Sequence, residues 1–352
     1  MALAAHGTAR TDRRQGGNAL AKVKDTDYLS ISARVRAMEN NLLTTEQFEQ
    51  LINAKSNDEE AKLLQSFGYG ELEPRHPEAL DADLTAVRAD LFDELSSSVP
   101  NAGDLDIFKI KYDYHNIKAM LKAEVLDVSP GELLADLGRI SVEELFVAQH
   151  ENDGSNLPGR LASAVYVGRE VLSATRDPQL FDVAVDKWYF RDMLETAEAA
   201  GSDFLIGYVR LQIDCANLRT LVRTLRMGKD EDFLRGVLFK GGELAPEELL
   251  RVSANKGAGL AELYAPTRLA AAAESGAQAL HGGLLTEFEK RCDDAQTAYL
   301  DEARLIPFGE EPVLAYIAAQ ETEYTNLRIV LMGRAAGVPA DVIRSRLRAG
   351  YV

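Results

Sequence analysis

The stretch FLIGYVRLQIDCANLRTLVRTLRMG, residues 204–228, decides the fold class. Phe204, Tyr208, Leu211, Cys215, Leu218, Val222 and Leu225 advance by alternating steps of four and three, which keeps one apolar stripe on one helical face. Val209, Ile213 and Leu221 form a second stripe, so this helix is expected to be packed from two sides. Gly228 follows the period and is placed as a C-terminal stop. No strand-like alternation persists anywhere in the chain, and Pro74, Pro77, Pro130, Pro246 and Pro339 fall at turns or helix starts. The fold class read from these patterns is all-α.

The same stretch recurs. DYHNIKAML at 113–121, DCANLRTLV at 214–222 and EYTNLRIVL at 323–331 align without a gap. Each carries an acid (Asp113, Asp214, Glu323), then an asparagine three residues on (Asn116, Asn217, Asn326), an aliphatic residue and a base. Carried past the helix, the ungapped register pairs Leu133 with Leu234 and Ile343, and Leu137 with Leu238 and Leu347. Asn217 lies within the second apolar stripe, and a buried unsatisfied amide costs about 1–3 kcal/mol, so these asparagines are expected to cap or clamp a neighbouring helix, the alternative being direct contact with a partner.

A second element also occurs three times, at Leu43–Phe48, Ile140–Leu145 and Leu244–Leu249. Thr44 with Gln47, and Ser141 with Glu144, have the spacing of a capping box, which satisfies orphan N–H groups reciprocally. Ala245 cannot cap, and Pro246 at the first helical position supplies a pre-set φ instead. Two copies of this capped element follow the first and second asparagine helices. The third asparagine helix has none after it, whereas the chain opens with one. The order implies a closed pseudo-threefold ring in which the N-terminal segment completes the unit begun by the C-terminus. The expected divisions are a basic disordered tail at 1–25 and helical units at 26–125, 126–230 and 231–352.

Composition narrows the function classes. The 352 residues are 46% hydrophobic and 27% charged, enough for a sizeable core. Asp and Glu number 56 against 39 Lys and Arg, a net charge of -17, which opposes nucleic acid or anionic lipid as the main partner. No apolar run reaches the roughly 18–20 residues of a membrane span. Cys215 and Cys292 alone make neither a disulfide framework nor a metal knuckle, and suit a reducing cytoplasm.

Four separated blocks resemble the C subunit of archaeal- and bacterial-type V/A-ATPases, the family that includes the eukaryotic V-ATPase d subunit. They are YLSISARVRAME at 28–39 with 43–51, FKIKYDYHNIKAMLKAE at 108–124, YVRLQIDCANLRTLVRTLRMG at 208–228, and FGEEPVLAYIAAQETEYTNLRIVLMGRAAGVP at 308–339. The resemblance covers residues 26–352. It implies an all-α funnel of three homologous parts and a mechanical role without an active site. A protein of that family is a socket on the cytoplasmic face of the proteolipid rotor ring, receiving the central axle and passing torque for ATP-coupled proton or sodium transport. The competing readings are an all-α repeat scaffold in another complex and an acid–base enzyme.

Chemical motifs are absent where an enzyme would need them. There is no G-x-x-x-x-G-K-[ST] phosphate loop, and Gly257 and Gly259 lack a third glycine in register. The histidines at 6, 76, 115, 150 and 281 are scattered. No cofactor, metal or nucleotide is expected. The remaining candidates are basic. Lys111, Lys118 and Lys122 share one helix face, Arg219, Arg223 and Arg226 another, and Arg328 stands in the third copy. They either pair with acidic helices of the neighbouring unit or steer an acidic axle tip. Trp188, Tyr189 and Phe190 are expected to anchor a helix–helix contact.

Overall fold

The computed structural model describes residues 23–70, 72, 76–150 and 156–350. The expected tail up to residue 22 and the turn expected at Pro74 lie outside the described residues. Among the described residues the regular elements are all helical, so the fold is all-α. In chain order the α-helices are α1 (Leu29–Met38), α2 (Thr45–Ile52), α3 (Asn57–Ser66), α4 (Pro77–Ser96), α5 (Asp106–Leu126), α6 (Val142–His150), α7 (Gly159–Thr175) and α8 (Pro178–Ala200). They continue as α9 (Asp203–Arg226), α10 (Glu231–Val237), α11 (Pro246–Ala254), α12 (Leu260–Tyr264), α13 (Ala270–Leu280), α14 (Leu285–Asp301), α15 (Glu310–Ala335) and α16 (Ala340–Arg346).

The three asparagine segments are the middles of α5, α9 and α15. Both stripes of α9 are occupied as the period requires, with Leu211, Cys215, Leu218, Val222, Val209, Ile213 and Leu221 all buried. Each of these helices has an antiparallel companion. Lys118 and Lys122 of α5 meet Asp186 and Asp182 of α8, so the pair runs in opposite directions. Arg219 and Arg223 of α9 meet Asp293 and Glu289 of α14 in the same reversed order. Glu321 and Arg328 of α15 meet Arg88 and Asp81 of α4.

The last pairing joins the two ends of the chain. α15 packs on α2 and α4, and α16 on α2. A separate apolar cluster gathers Leu43, Phe48, Leu51, Ile52, Leu64, Leu80 and Leu84 with Tyr324, Leu327, Val330, Leu331 and Ile343. The earlier turns of α15, Val313 to Ala319, belong instead to the main cluster shared by α5, α8, α9 and α14. One helix thus ties two cores together.

The ungapped register holds through the helices and fails beyond them. Leu234 and Ile343 are buried, but Leu133 is 65% exposed. The first copy has only a single 3₁₀ turn, Gly131–Leu133, where the others have the two-turn helices α10 and α16. A shorter connection brings the chain back earlier, so position 133 does not face the core.

Candidate functional site

Below each asparagine helix the chain returns to it, and the return is held the same way three times. The Asn116 amide donates to the Ala135 carbonyl (2.8 Å) and its oxygen accepts the Ala135 N–H (3.0 Å). Asn217 makes the same two-point clamp on Phe239 (2.9 and 2.8 Å), and Asn326 on Arg348 (3.1 and 2.9 Å). A buried carboxamide suits this task, because one side chain offers both the donor and the acceptor that a lone backbone residue lacks. The clamped residue lies 19 positions after the asparagine in the first copy and 22 after it in the others, matching the shorter connection.

The acids then receive the extended chain that enters each capped helix. Asp113 accepts the N–H groups of Arg139 (2.8 Å) and Ile140 (3.2 Å), just before Ser141 caps α6. Asp214 accepts those of Glu243 (2.9 Å) and Leu244 (3.3 Å), just before α11. Glu323 accepts the N–H of Leu43, just before Thr44 caps α2, and also the Tyr69 hydroxyl. The acid of the third asparagine helix therefore receives a capped helix from the other end of the chain. The capping boxes at Thr44 and Ser141 are formed, and at Ala245 the returning half survives, with the Ala245 N–H donating to Glu248 (3.1 Å).

Side-chain length explains which acid stands where. A Cβ added to Gly138 would lie 2.1 Å from Asp113 Oδ1, and one added to Gly242 would lie 2.1 Å from Asp214 Oδ1. The short aspartate thus requires glycine in the approaching chain. In the third copy the position equivalent to Gly138 and Gly242, two residues before Leu43, is Asn41, and the acid is glutamate, one methylene longer.

The electrostatics of the three acids differ. Burial raises Asp113 above its ordinary value against the pull of Arg139, whose guanidinium bridges Asp113 and the buried Asp192 at 2.7 Å each. Asp214 has no such ion pair; burial, with the Glu243 charge adding to it, lifts it to about 6 against the N–H groups of Glu243 and Leu244 and the pull of Arg210. Glu323 is also raised by burial, more than the Tyr69 and Leu43 hydrogen bonds lower it.

Every base singled out by spacing has a partner on a neighbouring element. Lys118, Arg219 and Arg328, each two residues after its asparagine, pair with Asp186 (2.7 Å), Glu289 (2.8 Å) and Asp81 (2.6 Å). Lys111 pairs with Glu321 (2.8 Å), Lys122 with Asp182 (2.6 Å) and Arg223 with Glu289 (2.7 Å). Arg226 donates to the Gly283 carbonyl (3.4 Å). Lys118 and Arg219 are largely covered, whereas Arg223 and Arg328 keep 58% and 55% of their side chains exposed.

A cavity of about 370 Å³ lies where the three asparagine helices meet. Lys111, Gln212 and Glu321 all line it, and each stands five residues before its own asparagine. The Phe108 and Tyr208 rings close one side at 6.1 Å. Glu321 is held by Lys111 and Arg88 (3.3 Å), and Asp293 by Arg219 and Arg348 (2.6 Å). Burial pushes Glu321 up, but the two cations hold it below its ordinary value, so it is ionised. The lining itself holds two cations, Lys111 and Arg348, and two carboxylates, Asp293 and Glu321, and further ion pairs run outward from them to Arg88, Arg219, Glu289 and Arg223. Glu321, Asp293, Gln212 and Arg348 were not found by sequence reasoning. The shared register position was the available signal, but Lys, Gln and Glu have no chemistry in common.

Large apolar side chains are exposed among charged ones at the C-terminal ends of α5 and α9. Val125, Leu126 and Val128 are exposed at the end of α5, Met227 after α9, and Leu284 at the start of the antiparallel α14 is 75% exposed. Tyr189 of α8 packs on Tyr114 of α5, the helix–helix contact expected of the aromatic run at 188–190, whereas Phe190 packs on Phe239 in the extended chain after α10. Among the described residues no group of three His, Cys, Asp or Glu is arranged to hold a metal ion, and no helix is long and apolar enough to cross a membrane.

Comparison with known proteins gives a consistent picture. The ATP synthase (C/AC39) subunit family matches residues 31–346. The chain is 26% identical to the C subunit of the V-type sodium ATPase of Enterococcus hirae, over 92% of this chain and 99% of that protein. It is 26% identical to the C subunit of the A-type ATP synthase of Methanocaldococcus jannaschii, over 91% and 86%. It is 25% identical to the C subunit of the V-type ATP synthase of Thermus thermophilus, over 89% and 96%.

Proposed function

The chain belongs to the ATP synthase (C/AC39) subunit family, and on that premise we propose that it is the non-catalytic rotor-coupling subunit of a V/A-type rotary ATPase. In this reading three related units, at about residues 26–125, 126–230 and 231–352, close into a funnel-shaped body. The body is peripheral to the membrane on its cytoplasmic side. It joins the proteolipid rotor ring to the central axle and passes torque between ATP turnover and proton or sodium movement.

The central hollow carries this reading. One register position from each of three like helices lines it, which is what a pseudo-threefold axis through a socket requires. A helix with its side chains is about 10–12 Å across, so a hollow of about 370 Å³ takes the side chains of an entering tip rather than a whole helix. The two cations that line the hollow, Lys111 and Arg348, offer partners to an acidic tip within a chain of -17. The exposed apolar ends of α5 and α9 suit the second contact, with the loops of a membrane ring. Arg223 and Arg328, paired but half exposed, and Arg226, exposed with only a carbonyl partner, are the bases freest to meet an incoming carboxylate.

Affinity purification of the intact complex from membranes tests the assignment. A proteolipid ring and a coiled-coil axle protein should come down with the chain; their absence, with other partners present, would support a scaffold of another complex. The Arg223→Glu, Arg328→Glu double variant should weaken axle binding, and the wild-type affinity should fall steeply with salt. Binding equal at low and high salt would remove the steering role of these bases.

A further inference from the structure

The apolar side chains exposed at the ends of α5 and α9 stand among different charges. Three segments meet at the end of α9: residues 225–229, which close it, the turn 255–259 after α11, and the turn 280–284 between α13 and α14. Arg226 donates to the Gly283 carbonyl (3.4 Å). Gly257 packs so closely on the Leu225 and Leu280 side chains that a Cβ there would clash with Leu280. Together the three segments hold Arg226, Lys229 and Lys256, five glycines and no acid, in a chain whose net charge is -17.

The three bases are exposed, and among the described residues none of them forms an ion pair. Lys229 lies over the Phe233 ring (5.5 Å) instead. Beside them stand Met227, 54% exposed, and Leu284, 75% exposed. The acids that follow belong to α10, where Asp230 caps the helix, Glu231 pairs with Arg235 (2.6 Å) and Asp232 is exposed at the rim. At the end of α5 the acids are interleaved instead: Glu124 and Asp127 flank Val125 and Leu126, and Arg169 there pairs with Glu124 (3.1 Å).

We propose that the end of α9 is a contact for the headgroups of an anionic phospholipid membrane, with Lys229 and Lys256 on the phosphates, Arg226 at the edge, and Met227 and Leu284 entering the interface. Peripheral contacts of this kind add buried apolar area to attraction for anionic lipid. A protein partner is held by packing against shaped side-chain walls, which five glycines do not supply and a fluid headgroup layer does not need. At physiological salt, charges beyond about 8 Å are largely screened, so the local bases outweigh the acidic remainder of the chain. Met227 stands about 22 Å along the α9 axis from Gln212 in the wall of the hollow, so this surface is separate from the hollow. The contact rests on the membrane-side placement proposed above.

Flotation of the full chain with phosphatidylcholine vesicles, with and without phosphatidylserine, tests this. Binding should require phosphatidylserine and fall as salt rises. Lys229→Gln combined with Lys256→Gln should weaken it about 25-fold, each base beside an anionic leaflet being worth about fivefold. Met227→Ser combined with Leu284→Ser should also weaken it at an unchanged melting temperature, because both side chains are already exposed. Val125→Ser combined with Leu126→Ser, at the acidic end, should leave binding unchanged. Equal binding with and without phosphatidylserine, no binding to either vesicle, or wild-type binding by the double lysine variant would overturn the contact. Recovery of the proteolipid ring with the chain, but no vesicle binding, removes the lipid contact alone. Vesicle binding without recovery of the ring leaves the contact standing and removes the rotor-coupling reading.

Discussion

The first and second junctions solve one problem with different chemistry. Both hold a returning chain with an asparagine clamp and a buried aspartate set against a glycine. In the first, Arg139 neutralises Asp113 and Asp192 together, and Tyr114 and Arg160 add further contacts to Asp192. In the second, Asp214 rests on backbone N–H groups alone and sits near the Tyr264 ring, which in turn lies near two thiols. The geometry common to both is the structural requirement. The cation is an addition in one copy, and it changes how that copy responds to mutation and to pH.

Removing the cation should therefore produce the largest contrast. Arg139→Met leaves two buried carboxylates without their shared cation, and the loss should be about 3–5 kcal/mol in urea denaturation. A loss below about 1 kcal/mol would mean that the first junction is held like the second. The clamp comes next. Asn217→Leu strands the N–H and C=O of the buried Phe239, and should cost about 2–4 kcal/mol. Asn116→Leu should cost less, because Ala135 is only half buried and water can replace the amide. Equal losses, or none, would break the idea that the clamp's value follows the burial of its target.

Gly242→Ala and Gly138→Ala probe the close approach of chain to acid. Each should cost about 1–3 kcal/mol in thermal or urea melts, because the carboxylate must leave its N–H donors. The pH response then separates the copies. Asp214, held at about 6 against roughly 4 in an unfolded chain, contributes stability below pH 4 that is lost as pH rises to 6. Relative to wild type, Asp214→Asn should flatten that decline by up to about 1.4 kcal/mol per pH unit. An unchanged slope would show that the second acid is solvated after all. The smallest effect is expected at the surface, where Arg223→Ala should change stability by less than about 1 kcal/mol.

Much of this was legible in the residues. Apolar steps of four and three placed the long helices, and the repeated acid and asparagine marked the positions that hold the junctions. The capped helix at Thr44, out of order in the chain, pointed to α15 as its partner. The hidden part is instructive. Lys118, Arg219 and Arg328 were visible as bases, but their partners Asp186, Asp293 and Asp81 lie 68, 74 and 247 residues away, on α8, α14 and α4. The hollow was invisible because Lys111, Gln212 and Glu321 share a register position but no chemistry. The ungapped register misled past the helices, since connection length is free to vary wherever the next element still reaches its acid.

The sequence by itself determined what is local and periodic: the all-α class, the helix limits set by caps, glycines and prolines, and the existence of three like segments. Periodicity is a property of neighbouring residues, so it needs no knowledge of the rest of the chain. Only the tertiary structure decided which acid meets which base, why glutamate replaces aspartate where Asn41 stands in place of glycine, and which side chains share the hollow. Those outcomes depend on distances of a few ångströms between segments far apart in the chain. Burial and the cations within reach then set which of the buried carboxylates keep a proton.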